Sequence, residues 1–287
     1  MAPEKIAVIT DSCADLSAEA VAGKPIFVLP LVIHCQDGDY RDGVDIFARD
    51  IYERLKTELP KTSLPSGEAV EQVLTQIWNQ GYRKVIAIML SSGLSGTYNL
   101  LRLVGKHIPE LELEVIDSLS GSLGSGAMVL QTADYIQQGM AWEELIPRAR
   151  ALVGSTHVFF SVDTLEYLQK GGRIGLVTAL AGSMLQIKPI LSFAPDGQLV
   201  NVAKARGRRQ VEDKLIEQVR SHWQPGRRYS LAVAHGGNPE GYEPLKARLT
   251  AEFPDYVHLY EGEIDATLSV YIGPGVLGAG IQFLDEE

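Results

Sequence analysis

The sequence predicts an α/β protein: a Rossmann-like N-terminal domain on a mostly parallel sheet, followed by a C-terminal α+β domain. Three observations predict it. In the first half, short β-branched runs alternate with helix-length stretches, as parallel βαβ units do. In the second half, Asp196-Gly197 joins two strand-like runs, a hairpin signal that brings in antiparallel pairing. The length of 287 residues suits two domains at about 150 residues each. The change of pattern divides the chain into 1–153 and 154–287.

The elements follow in order. The first strand is expected at Lys5–Thr10, ending in the polar turn Asp11-Ser12, with further strands at Pro25–Ile33, Lys84–Leu90 and Leu113–Ile116. Helices are expected at Ile46–Glu58, Gly67–Gln80, Gly96–His107 and Gly124–Gln138. After a helix at Trp142–Val153 come a strand at Thr156–Val162 and a short helix at Asp163–Gln169. A Gly-rich turn then leads to a helical stretch at Val177–Leu185. The runs Ile187–Phe193 and Leu199–Arg206 form the hairpin. Helix Arg209–His222, strand Arg228–His235, helix Gly241–Phe253, strand Tyr256–Glu263 and an apolar segment beyond Gly273 complete a sheet expected to carry helices on one face.

Composition narrows the function. The formal charge is −10, with a pI near 5.2. Such a chain lacks the basic footprint that displaces counterions from nucleic acid, and it lacks a polybasic membrane anchor. Cys13 and Cys35 are too few for a disulfide framework and lack zinc-site spacing. Both are expected as small packed hydrophobes in a reducing compartment. His34, His107, His157, His222 and His258 form no metal-binding motif, so neither metal nor cofactor is expected. Residues 1–12 carry no apolar signal region, and no apolar run reaches the roughly 18–20 residues of a membrane span. A cytoplasmic protein without integral membrane association is the expectation.

Two hydroxyl-rich segments stand just before helices. In Lys61-Thr62-Ser63-Leu64-Pro65-Ser66-Gly67-Glu68, Ser66 is suited to cap the helix, while Thr62 and Ser63 can direct hydroxyls at an anion. In Leu90-Ser91-Ser92-Gly93-Leu94-Ser95-Gly96-Thr97-Tyr98, a buried strand gives way to a helix, where a doubly wound sheet places its ligands. Ser92 or Ser95 can cap that helix, or Ser95 and Gly96 can form an anion site at its start. An alternative makes Ser95 the nucleophile of a serine-type acyl hydrolase with His235, and Asp117 as the acid. The elbow Gly93-Leu94-Ser95-Gly96 then has its second glycine one position early for G-x-S-x-G. Gly273–Gly278 formally matches G-x-G-x-x-G, but no βαβ unit follows it, and there is no P-loop. Two basic features interrupt the acidic background: Gln169-Lys170-Gly171-Gly172-Arg173-Ile174, and the cluster Lys204, Arg206, Arg208 and Arg209, a patch suited to an acidic partner or a phosphate-bearing substrate.

Together these segments resemble the DegV family, which includes the fatty-acid-binding subunits of bacterial fatty acid kinase. The resemblance runs from Val8-Ile9-Thr10-Asp11-Ser12 through Lys61-Thr62-Ser63, Leu90–Tyr98, Leu168–Ile174 and Lys188-Pro189-Ile190-Leu191 to Gly273-Pro274-Gly275. It implies one long-chain fatty acid, such as palmitate, buried between the two domains. It also implies that Thr62, Ser63, Ser95 and Gly96 bind the carboxylate, with Arg173 near that end. A partner kinase would phosphorylate the carboxylate, and the binding subunit would do no chemistry itself. Two departures stand out. The family usually has Gln after T-S, and here Leu64 follows. Members active with the kinase often carry His two residues before G-P-G, and here Tyr271 stands there. The phenol differs from an imidazole in charge and reach, which bears on kinase coupling.

The chemistry of a fatty acid suits such a chain. Its tail gains about 0.8 kcal/mol for each buried CH₂, while its carboxylate loses water that fixed donors must replace. An aliphatic lining is expected, consistent with only 7% aromatic residues and with the run Val177–Leu185.

Overall fold

Every residue of β1 (Ile6–Asp11) is buried, as an unbroken apolar strand covered on both faces must be. The computed structural model describes residues 5–180 and 187–284. After β1 come α1 (Ala18–Val21), β2 (Ile26–Leu29), β3 (Val32–Cys35), β4 (Gly38–Arg41), α2 (Ala48–Arg54), β5 (Lys61–Ser63) and α3 (Gly67–Asn79). Next are β6 (Lys84–Met89), α4 (Thr97–Val104), β7 (Glu112–Asp117), α5 (Leu123–Gln137) and α6 (Trp142–Ser155). Strands β2, β1, β6 and β7 pair in that order, all parallel. Ala7, Ile9, Val85 and Ala87 face α3 and α4, while Ile6, Val8, Ile86 and Ile88 face α5 and α6. This is the expected Rossmann-like layer, with the period of two that a strand covered on both sides displays.

The run expected as one strand at Pro25–Ile33 is two strands in two sheets. Pro30 has no N–H for a ladder, and the chain turns there. β2 joins the parallel sheet, whereas β3 lies between β4 and β5 in a separate antiparallel sheet. The helix expected at Ile46–Glu58 is confined to α2, and the one expected at Gly96–His107 passes into a 3₁₀ turn at Gly105–His107.

The remaining elements are β8 (Thr156–Ser161), α7 (Glu166–Lys170), a 3₁₀ segment at Gly175–Leu180, β9 (Lys188–Phe193), β10 (Leu199–Ala205), α8 (Gly207–His222) and β11 (Tyr229–Gly236). α9 (Pro239–Glu252), β12 (Leu259–Glu263), α10 (Ala266–Ile272) and β13 (Val276–Phe283) follow. Where a helix was expected over Val177–Leu185, residues up to Leu180 take the 3₁₀ form, and 181–186 lie outside the described residues. The six strands run in the order β10-β9-β8-β13-β11-β12. β9 and β10 form the expected hairpin around Asp196-Gly197, and β11–β12 is the parallel pair. One face carries α8 and α9, whose Leu215, Val219, Leu245 and Leu249 pack on Phe159, Leu231, Leu277 and Ile281. The other face is covered by α5, which is buried almost throughout because it serves both large sheets.

Candidate functional site

Between α5 and the inner face of the six-stranded sheet lies a cavity of about 400 Å³. Local sequence makes the space. Residues alternate along β11 and β13, so Ala232, Ala234, Gly278 and Gly280 occupy the inner face. Those residues have short or absent side chains, and Leu90, Leu123, Phe160 and Phe193 form apolar walls around the gap. Cavities of this size commonly hold small organic ligands.

Polar groups interrupt the apolar lining. Thr62, Ser63, Ser95, Gly96, Arg173 and Tyr271 all line the cavity. Thr62 and Tyr271 share a 2.6 Å hydroxyl–phenol hydrogen bond. The Arg173 guanidinium sits 5.0 Å from the centre of the Tyr271 ring and donates to the carbonyl of Gly171 at 2.8 Å. Ser95 Oγ lies 2.8 Å from Thr97 Oγ1 and accepts from Thr97 N–H at 3.3 Å, so it stands at the start of α4. Leu64, the apolar departure, lies against Gly96, where an added Cβ would come within 3.3 Å of Leu64 Cδ1. Ser63 has a partner that sequence reasoning missed: its Oγ lies 2.8 Å from His34 Nε2, and His34 Nδ1 lies 2.7 Å from Asp39 Oδ1. The two-residue turn Gln36-Asp37 joins β3 to β4 and sets His34 opposite Asp39, and the Asp37-Gly38 dipeptide at its end is the sequence signal that could have found it.

The loop that carries Ser95 is fixed from below. The buried Asp11 carboxyl accepts from the N–H groups of Leu90 and Cys13 at 2.8 and 3.1 Å, and burial pushes its pKa up to about 7. Ser91 Oγ donates to the carbonyl of Gly197 at 2.8 Å. A Cβ on Gly93 would lie 2.5 Å from the Gly197 carbonyl carbon, so this glycine lets the hairpin turn close on the loop. A second buried acidic group anchors α10, which carries Tyr271. Asp42 accepts from the N–H groups of Ala266 and Thr267, and Asp265 caps Leu268 at 2.8 Å. Asp15 accepts from the N–H of Asp265 at 2.9 Å and from the Ser122 hydroxyl. Burial holds Asp15 and Asp265 above the usual carboxylate range. Cys13, Asp42 and Asp265 bring three possible metal-ligand atoms within 4.8 Å of one another, although Asp42 already serves α10 through both oxygens.

Other sequence candidates fall elsewhere. His235 lies on the α8/α9 face of β11, edge-on to Tyr242 at 5.0 Å, and burial lowers its pKa. The sheet therefore stands between His235 and Ser95, and the structure does not bring that pair together. Asp117 accepts from the N–H groups of Ser92 and Leu119 and serves the loop. Lys204 lies on β10, and Arg206, Arg208 and Arg209 stand at the start of α8, away from the cavity lining. Arg208 lies 3.9 Å from Glu212 and 3.6 Å from Glu240. Among the described residues, no helix is long and apolar enough to cross a membrane.

The family model described as "Uncharacterised protein, DegV family" matches residues 5–284. The chain belongs to the DegV family. A DegV domain-containing protein of Clostridium acetobutylicum is 37% identical over 278 residues, 97% of this chain and 99% of that one. Among solved structures, a fatty-acid-binding DegV family protein from Thermus thermophilus matches with a TM-score of 0.92 and 27% identity, covering 98% of this chain and 100% of that chain. DegV from Bacillus subtilis, described as a fatty acid binding protein, matches with a TM-score of 0.88 and 29% identity, over 98% and 99% of the two chains. The DegV fold thus accounts for both large sheets and for the helix between them.

Proposed function

We propose that this DegV-family protein binds one long-chain fatty acid in the cavity between its two expected domains, 1–153 and 154–287. The observation that carries the reading is a cavity with mostly apolar walls that Thr62, Ser95, Arg173 and Tyr271 also line, Thr62 bonded to Tyr271 and Arg173 stacked over the same ring. The fatty-acid-binding descriptions of the Thermus thermophilus and Bacillus subtilis proteins support it. The roughly fourteen methylenes of a palmitate chain would yield about 11 kcal/mol on burial before ordering costs. The carboxylate would meet Thr62, Ser95 and the N–H of Gly96, with Arg173 supplying positive charge. With Tyr271 as the donor of the hydrogen bond they share, Thr62 would keep its own proton for the ligand. Ser63 stands beside them, its Oγ donating to the Leu64 carbonyl at 3.2 Å. Mass spectrometry of a denatured, extracted sample tests the reading: stoichiometric acyl chains are expected, and a protein that holds none and cannot be loaded sinks it. Ser95→Ala is expected to weaken palmitate retention by roughly 10-fold, the loss of one charge-assisted bond, with an unchanged melting temperature.

A carrier of this kind would present the carboxylate to a partner kinase for acyl-phosphate formation, in the cytoplasm, where two free cysteines stay reduced. The cluster Lys204, Arg206, Arg208 and Arg209 would dock the acidic surface of that partner. None of these four residues lines the cavity, so docking and ligand binding would use different side chains.

A further inference from the structure

Ser63, His34 and Asp39 come from three adjacent strands of the small sheet. His34 of β3 is paired directly with Asp39 of β4, and Ser63 of β5 is paired with Val32, two residues along the same face. A carboxylate only accepts, so Asp39 favours the His34 proton on Nδ1; Nε2 then carries a lone pair 2.8 Å from Ser63 Oγ, whose proton has two acceptors in reach, this nitrogen and the Leu64 carbonyl at 3.2 Å. That is the ordered chain of nucleophile, base and orienting acid from which acyl transfer is built. Ser63 alone of the three also lines the cavity, alongside Ser95 and Gly96.

We propose that Ser63, His34 and Asp39 form an acyl-transfer centre that hydrolyses long-chain acyl esters, with the acyl chain held in the cavity. The proposal rests on the acyl-binding reading of that cavity. Ser63 Oγ attacks the ester carbonyl carbon as its proton passes to His34 Nε2, and the carbonyl π pair moves onto oxygen. Donors at the start of α4, where Ser95 and Gly96 stand, receive that oxyanion. Its collapse breaks the bond to the alkoxy oxygen, which leaves as the alcohol with the proton from His34. Water then attacks the acyl-serine carbon and gives a proton to His34. The Ser63 oxygen leaves, takes that proton back, and the fatty acid is released. His34 is half-buried and Asp39 exposed, so a polar alcohol portion can remain in water. The product is the ligand that the cavity retains, so its release follows the chemistry slowly.

The test uses the full chain stripped of lipid, with p-nitrophenyl palmitate as substrate and a fluorophosphonate as label. The expected result is a burst of nitrophenolate followed by a slow steady rate, with the label on the Ser63 peptide. His34→Ala is expected to slow the burst by roughly a thousandfold and abolish labelling. Retained palmitate with an unlabelled Ser63, or labelling that survives His34→Ala, overturns the acyl-transfer centre alone. A wild-type chain that retains no palmitate overturns both this centre and the cavity reading.

Discussion

Gly278→Leu is expected to weaken acyl-chain binding about 100-fold while the protein keeps its fold. Gly278 stands on β13 between Ala234 of β11 and Phe160 of β8 and lines the cavity. A Cβ built there has its nearest neighbours at 3.5 and 3.6 Å, ordinary contact, so the strand accepts a side chain without moving. The rest of the leucine then fills space that the ligand needs. Excluding about four methylenes at about 0.8 kcal/mol each costs roughly 3 kcal/mol, or about 100-fold in affinity. Replacing glycine within a strand also removes an entropic penalty, so the melting temperature should stay level or rise. Titration with palmitate beside a thermal melt checks both halves. Unchanged affinity would mean that the acyl chain does not pass β13. Gly280, its neighbour on the same face, would be a poor probe: its Cβ would lie 2.8 Å from Val158 Cγ1 and 2.9 Å from the His157 carbonyl.

The second large effect concerns stability. Asp15 is buried beside Asp265 and Asp42, and burial raises its pKa. A carboxyl whose pKa is higher folded than unfolded favours the native state below its unfolded pKa, and this contribution is lost as pH rises through the folded value. Asp11 sets the window: its ordinary value is 3.8 and its folded value about 7, so stability should decline across that interval. Asp15→Asn removes one ionisation and keeps the bonds. Its Oδ1 can accept from Asp265 N–H, and its amide can donate to the Ser122 hydroxyl. The backbone at Asp15, with φ 52° and ψ 39°, is left-handed, where Asn is readily accommodated. The expected gain is about 2 kcal/mol at about pH 8, or roughly 5 °C in Tm, vanishing near pH 4. Melts across that range check it, and a variant no more stable than wild type at the alkaline end contradicts it. His157 works in the opposite direction. Burial lowers it from 6.5 to about 4, so its contribution is present above the ordinary value and lost as pH falls through the folded one.

Strand and helix runs with a clear period were legible in the sequence, because each lies in a layer that buries one or both faces. β1, β6, α3 and α8 follow their patterns closely. The small sheet was not legible. β4 and β5 hold four and three residues with mixed polarity, too short to establish a period, and β3 was hidden inside a longer apolar run. α10 was missed as well, since its seven residues are held by carboxylates from distant parts of the chain. The hydroxyl segments around Thr62 and Ser95 were readable as anion sites because each precedes a helix. What surrounds them was not. Tyr271 reaches Thr62 across 209 positions and His34 reaches Ser63 across 29, separations at which sequence spacing carries no information on contact.

The order of the six-stranded sheet bears on how the chain is made. β8 pairs with β13, and the Gln282 amide donates to the Thr156 hydroxyl 126 positions away. A ribosome working at about 5–20 residues per second needs roughly 6–25 seconds to cover that separation. Throughout that interval the hairpin of β9 and β10 can close on β8, but the other edge of β8 stays unpaired. Chaperones that shield bare strand edges therefore have a defined period in which to act on this chain, and it ends when β13 emerges and inserts between β8 and β11.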